Sequence, residues 1–244
     1  TNAADALAQI IQKLEELKQA IGSGSTPPAG PSMTLTNAKA VGETIRLFIN
    51  ADAADQADVW IDLNNNGTKD AGEAVTTFGV YVEYTLGAQT VTIYGKVTRL
   101  ICTYNQLQAL DVTKNTHLTW LDSFVNPLQA LDVTKNTQLT RLYCDFNKLQ
   151  ALDVTKNTQL TRLVCPFNQL QALDVSKNTQ LTMLHCHNNQ LTTLDVSKNK
   201  ELVWLWCYNN QLTTLDVSNN KELQYLFCYN NKISGDNMTA LVNS

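Results

Sequence analysis

Between Gly95 and Gly235 the chain has no glycine. That stretch lacks the residue that most readily takes a left-handed backbone, so other residues must make its turns. Charge is scarce too. Asp, Glu, Lys and Arg make up 16% of the 244 residues, and the formal net charge is -4. No basic excess marks the chain as a nucleic-acid binder. No apolar run approaches the ~20 residues that cross a bilayer. There are three histidines. No Ser-His-Asp or Cys-His arrangement can be assembled from the sequence, so an enzyme is the least expected reading. The chain begins at Thr1 rather than Met, and a removed leader, such as a secretory signal, is expected upstream.

A repeat fills the glycine-free stretch. Its period is 21 residues, with rungs beginning at Val97, Leu118, Leu139, Leu160, Leu181, Leu202 and Leu223. The rung at 160–180 reads LTRLVCPFNQLQALDVSKNTQ. Positions 1, 4, 6, 11, 14 and 16 are apolar, here Leu160, Leu163, Cys165, Leu170, Leu173 and Val175. One coil cannot bury these alone, but stacked coils bury each set against its neighbours. Each buried Leu or Val contributes roughly 1.5–3 kcal/mol before entropy costs. The second half-rung, L-D-V-x-x-N, predicts that the far side of each coil is extended as well.

The six cysteines fall at 102, 144, 165, 186, 207 and 228. Their spacing marks one repeated inward position, with Ser123 in the missing place, rather than a framework of bridges. Buried free cysteine is a small hydrophobe, so the redox compartment is not legible from the count. Two asparagine columns, Asn105 to Asn231 at position 9 and Asn115 to Asn220 at position 19, are expected to make the turns. Asparagine tolerates left-handed angles and bonds to nearby backbone.

The first half-rung, L-x-x-L-x-C-x-x-N-x-L, resembles the leucine-rich-repeat pattern, and seven rungs carry it in register over well over half of the chain. The wording LTxLxCxxNQLxxLDVSKN is similar to surface leucine-rich-repeat proteins of Bacteroidetes-type gut bacteria, and the repeat length is similar to that of internalin-type proteins. The resemblance implies a solenoid, an arc of stacked coils with a parallel β-sheet on its concave side. It also implies a place outside a bacterial cell or on its outer surface. Such relatives are often held by a lipid anchor, which here would lie outside this chain.

Five segments follow. Residues 1–21 read as an N-terminal heptad helix, with Ala3, Leu7, Ile10, Leu14, Leu17 and Ile21 on one stripe. A lone helix this short is marginal in water, so it should dock or self-associate through residues 3–21. Residues 22–32 are a linker. Residues 33–95 read as a small all-β domain with candidate strands Thr44–Asn50, Ala57–Leu63, Tyr81–Tyr84 and Gln89–Tyr94. It is expected to cap the repeats at 96–234. Residues 235–244, with Met238, Leu241 and Val242, read as a cap or as the start of a segment that continues in the native protein.

Residues 62–73, DLNNNGTKDAGE, match the calcium-loop pattern D-x-[DN]-x-[DN]-G-x5-E. Asp62, Asn64, Asn66, Thr68, Asp70 and Glu73 would hold a structural Ca2+. A plain Asn/Gly-rich turn explains the same residues, and both readings stay open at this point. No other cofactor is expected.

The rungs can be compared with one another. After position 11 they are near copies. Columns of Asp (111 to 216) and Lys (114 to 198) there should offset each other's charge. Positions 3, 5, 7 and 8 vary, and they hold twelve of the chain's 18 aromatic residues. Strand propensity alone does not explain why one side varies while the other is copied. The candidate ligand-binding residues are Trp120, Arg141, Tyr143, Arg162, His185, His187, Trp204, Trp206, Tyr208, Tyr225, Phe227 and Tyr229. The early rungs are basic (Arg99, Arg141, Arg162) with Asp122 and Asp145 between, and the late rungs are aromatic. His185 and His187 form an H-x-H pair with no evident third metal ligand, so they read as polar residues on a binding face. A protein or peptide partner fits this mixture. A glycan on the Trp/Tyr platform, or a homo-oligomeric structural role, are the alternatives.

Overall fold

The computed structural model describes residues 28–234. The heptad helix expected at 1–21, most of the linker and the segment 235–244 lie outside the described residues. Among the described residues the only helix is a single 3-10 turn, Gln56–Asp58.

Five strands precede the repeats: β1 (Ser32–Asn37), β2 (Thr44–Asn50), β3 (Trp60–Asp62), β4 (Tyr81–Thr85) and β5 (Thr90–Tyr94). In the rungs follow β6 (Arg99–Ile101), β7 (Leu107–Asp111), β8 (Trp120–Asp122), β9 (Arg141–Tyr143), β10 (Arg162–Val164), β11 (Met183–His185), β12 (Trp204–Trp206) and β13 (Tyr225–Phe227). The chain therefore has the repeat-solenoid architecture, with parallel rung strands paired in strict register, as in Arg141↔Arg162↔Met183.

The β unit is joined to the first rung through both of its sheets. Nine strands run β13-β12-β11-β10-β9-β8-β6-β2-β4, and four run β3-β5-β1-β7. β2 lies antiparallel to β6, with Phe48 opposite Ile101 and Asn50 opposite Arg99. β1 lies antiparallel to β7, with Leu35 opposite Leu110. Strand alternation decides which way each side chain turns. In TIRLFIN, Ile45, Leu47 and Ile49 are buried, while Thr44 and Arg46 are exposed and Phe48 is half-buried. The buried set joins Leu100, Leu118 and Leu121 in one continuous core. β1 buries Met33, Leu35 and Asn37 in the same way. Strand and turn at Ala57–Leu63 divide, leaving three residues of strand after the 3-10 turn.

Side-chain ladders hold each rung to the last. Thr140, Thr161 and Thr182 each donate a hydroxyl to the preceding threonine carbonyl at 3.0–3.1 Å. At position 9, Asn147 donates its amide to the Ser123 and Cys144 carbonyls at 3.0 and 3.1 Å and accepts the Leu128 N–H at 3.1 Å. At position 19, Asn157 donates to the Val133 and Asn136 carbonyls at 2.9 and 2.8 Å. Backbone groups that a bare turn would orphan are thus paired.

Two expectations need correction. The left-handed turn is not at the asparagine columns. It lies one residue earlier, at position 8, where Tyr104, Val125, Phe146, Phe167, Asn188, Asn209 and Asn230 have φ of 52–57°. Asparagine at position 9 clamps the backbone while its neighbour makes the turn. The far side of the coil is less extended than its L-D-V pattern implied. After β7 it holds single bonds, such as Gln169 N–H to the Leu149 carbonyl at 2.9 Å. The step of three between positions 11 and 14 breaks the alternation a strand needs. The Asp and Lys columns do offset each other's charge, but without direct ion pairs. Asp132 accepts the Thr134 N–H and hydroxyl at 2.9 and 2.7 Å. These bonds, and then the charge of Lys135, hold its carboxyl below the usual range. Thr155 and then Lys156 lower Asp153 in the same way. Among the described residues the one ion pair joins Lys96 to Asp55.

Candidate functional site

The buried residues of each rung strand face the core, so positions 3 and 5 face outward by alternation. On β6 and β8 to β13 this aligns the varied residues across seven rungs. The face also extends onto the cap, because β2 pairs with β6 and their outward residues share one side.

At the cap end, cations and rings alternate. Arg46 lies 4.4 Å over Tyr81, and Tyr81 meets Phe48 edge-on at 5.6 Å. Arg99 lies between Phe48 and Trp120, at 4.3 and 3.4 Å from the ring centres. Arg141, from the next strand, lies 4.4 Å from Trp120. Tyr143 meets Trp120 edge-on at 6.0 Å. Arg162 follows in register and is exposed. Arg46, Phe48 and Tyr81 belong to this face, although reading the repeats alone missed them. The available signal was the alternation in TIRLFIN, whose outward residues had to continue the first rung's face.

At the far end the rings pair with each other. His185 stacks on Trp206 at 4.0 Å, Trp204 stacks on Tyr225 at 3.8 Å, and Phe227 meets Trp206 edge-on. Just past the strands, positions 7 and 8 form a ladder of seven rings: Tyr104, Phe124, Phe146, Phe167, His187, Tyr208 and Tyr229. Successive centres are 4.1–5.6 Å apart.

The histidine pair is less available than expected. His187 is buried between Phe167 and Tyr208, and His185 is half-buried. Burial pushes both imidazoles down to about 4, so they are neutral at pH 7. Asp145 moves the other way. Burial, and then the charge of Asp122, raise its carboxyl to about 6. Burial raises Asp122 as well. Among the described residues no three His, Cys, Asp or Glu gather as a metal would require.

No protein-family model matches the chain, and no curated protein sequence matches it either. Solved structures do. The functional domain of InlJ from Listeria monocytogenes is 37% identical over 59% of this chain, with a TM-score of 0.48. An internalin, InlF, from Listeria monocytogenes is 15% identical over 59% of this chain, with a TM-score of 0.34. This chain spans 37% of the InlJ chain and 77% of the InlF chain. Over the matched stretch the chain is similar to these Listeria internalin domains.

The InlJ domain includes a cysteine ladder. In this solenoid Cys102, Cys144, Cys165, Cys186 and Cys207 are buried free thiols, and Cys228 on the last rung is half-buried and free. Burial pushes Cys165 and Cys207 up to about 12. A thiol so far from ionisation is not a nucleophile.

The loop at 62–73 closes on itself. Asp62, buried, accepts the Asn66 and Gly67 N–H groups at 3.0 and 2.7 Å. Glu73, also buried, accepts those of Leu63 and Asp70 at 2.8 Å each. Asn64 and Asn66 turn amide N–H groups, not oxygens, toward Asp70, at 2.8 and 2.6 Å. Thr68 bonds to Asn66. In this arrangement the loop's own N–H groups bond to the two buried carboxylates that the calcium reading assigns to the ion.

Proposed function

We propose that this chain is a non-catalytic binding module, secreted by a bacterial cell or held on its outer surface. It recognises a protein or peptide partner through the open face of the nine-stranded sheet. The exposed large hydrophobic side chains of the described rungs carry this reading. They are Tyr104, Phe146, Phe167, Tyr225, Phe227 and Tyr229, all aromatic and all at positions 3, 5, 7 or 8. Grouped exposed aromatics are costly to leave bare and mark contact sites. The similarity to internalins supports a surface role. Ring geometry favours a protein over a glycan. A sugar needs an open ring face, but Trp206 and Trp204 stack on His185 and Tyr225, and Trp120 lies between two guanidiniums. Such rings offer their edges to a partner.

Capture by the immobilised full chain from extracellular protein extracts tests this, with protease-treated and glycosidase-treated arms. Protease should abolish capture, and Trp204→Ala/Trp206→Ala should reduce it at least tenfold. Capture that survives protease but not glycosidase would transfer the face to a glycan.

A further inference from the structure

The cap end of the face concentrates positive charge on a chain whose net charge is -4. Arg46, Arg99, Arg141 and Arg162 share it, and none of them is in an ion pair. Two of them are held rigidly. At 3.4 Å from the ring centre, the Arg99 guanidinium must lie flat on Trp120, and Arg141 comes to the same ring from the next strand. A stacked guanidinium uses its face on the ring and keeps its N–H groups, which lie in its own plane, for an anion.

We infer that the partner segment which docks at the cap end is an extended acidic peptide, with carboxylates of alternate residues seated on Arg99 and Arg141 and with exposed Arg162, the register neighbour of Arg141, extending the cationic file. This deepens the protein-binding reading above and rests on it. Spacing supports it. The two guanidiniums flanking Trp120 are within about 8 Å of each other, and alternate residues of an extended strand are about 7 Å apart. Each seated carboxylate can accept two parallel N–H bonds from one guanidinium. Width supports it too. Asp122, two residues along β8 from Trp120, and Asp145 border the arginine file. They repel anion outside a single file, so a narrow peptide fits where a broad polyanion does not.

The test is titration calorimetry on the full chain. The probe is a synthetic peptide alternating glutamate with threonine, and the same peptide with glutamine is its control. A sulfated oligosaccharide of similar length is the third ligand. The glutamate peptide should bind at low salt, at least tenfold tighter than the glutamine peptide and tighter than the oligosaccharide. Arg141→Gln and Arg162→Gln should each weaken it about tenfold. Lys156→Gln, which removes the same single charge from the copied side, should leave it within twofold. Arg162 is exposed, so its variant reports on binding even if Arg141→Gln lowers the melting temperature. No binding, equal loss in the lysine variant, or tighter oligosaccharide binding overturns the inference. Protein capture that needs Trp204 and Trp206 but neither arginine would overturn it and leave the function reading standing.

Discussion

The first four rungs and the last three use the same scaffold differently. At position 8 the backbone is left-handed in all seven, with φ within 52–57°. The late rungs fill it with Asn188, Asn209 and Asn230, which tolerate that conformation and link amide to amide at 2.8 Å. The early rungs fill it with Tyr104, Val125, Phe146 and Phe167, for which it costs about 1–2 kcal/mol each. Ring placement follows. Early aromatics stand mostly at position 8, and late ones (His187, Tyr208, Tyr229) at position 7. From Asn126 to Asn231 the clamp beneath is the same, while Asn105 clamps the cap through the Arg46 backbone, so what differs between the halves is mainly what they show to a partner.

Removing that clamp should have the largest effect and should erase the comparison. Asn168→Ala would strand the Leu149 N–H and the Cys144 and Cys165 carbonyls, now bonded at 2.9–3.1 Å. Asn210→Ala does the same one half later, stranding the Leu191 N–H and the Cys186 and Cys207 carbonyls. Each should cost about 3 kcal/mol in urea unfolding. A cost confined to one half would refute a shared scaffold.

Acid should separate the halves. His185 and His187, held down to about 4, refuse protons that the unfolded chain takes up near 6.5. Their contribution is intact above pH 6.5 and is lost as pH falls toward 4. Asp145, raised to about 6, takes a proton while folded that the unfolded chain takes only near 3.9. It therefore costs stability at pH 7 and gives this back as pH falls through 6. After allowance for solvent screening, each group is worth about 1–2 kcal/mol. Melting curves from pH 7.5 to 4 should show His185→Gln/His187→Gln losing less on acidification than the unaltered chain. Asp145→Asn should be more stable at pH 7 and lose more. Parallel profiles for all three chains would contradict these assignments.

A smaller effect should appear at Val125, the one β-branched residue in the left-handed column. Val125→Asn installs the residue that the late rungs use and should stabilise by about 1 kcal/mol. Asn209→Val, the reverse exchange, should destabilise by about as much. If both variants lose stability, packing at position 8 outweighs backbone strain.

The residues themselves explain what could be read in advance. Leu163, Cys165 and Leu170 repeat at fixed intervals, and one period forces one stacked coil, so the solenoid and its inward thiols were legible. The outward face was legible by subtraction, as the positions where rungs stop copying each other. Position 8 was not, because asparagine occupies it in three rungs and stands beside the asparagine of position 9, so the clamp and the turn look alike in sequence. The cap's share of the face depends on Phe48 meeting Ile101 across an antiparallel pairing that no local period records. Burial of His187 depends on rings from two neighbouring rungs, and Trp120 between Arg99 and Arg141 likewise needs three strands together.

Calcium should have the smallest effect, and it separates the cap from the rungs. The loop at 62–73 supports Trp60 and Ile61, since the Ile61 N–H donates to the Glu73 carbonyl at 2.8 Å. Its two buried carboxylates already accept four backbone N–H groups. To hold an ion, Asn64 and Asn66 would have to rotate their amides so that oxygen replaces N–H toward Asp70, and Asn66 would give up its bonds to Thr68. A carboxylate oxygen still has a second lone pair after one such bond, so the chemistry permits an ion without the fold requiring one. Melting temperatures in calcium and in chelator should therefore agree to within about a degree. A ligand that binds only the folded chain at a hundred times its dissociation constant adds about 2.7 kcal/mol. A rise of several degrees, reversed by chelator and absent in Asp70→Asn, would show that the amides turn and the loop closes on a cation.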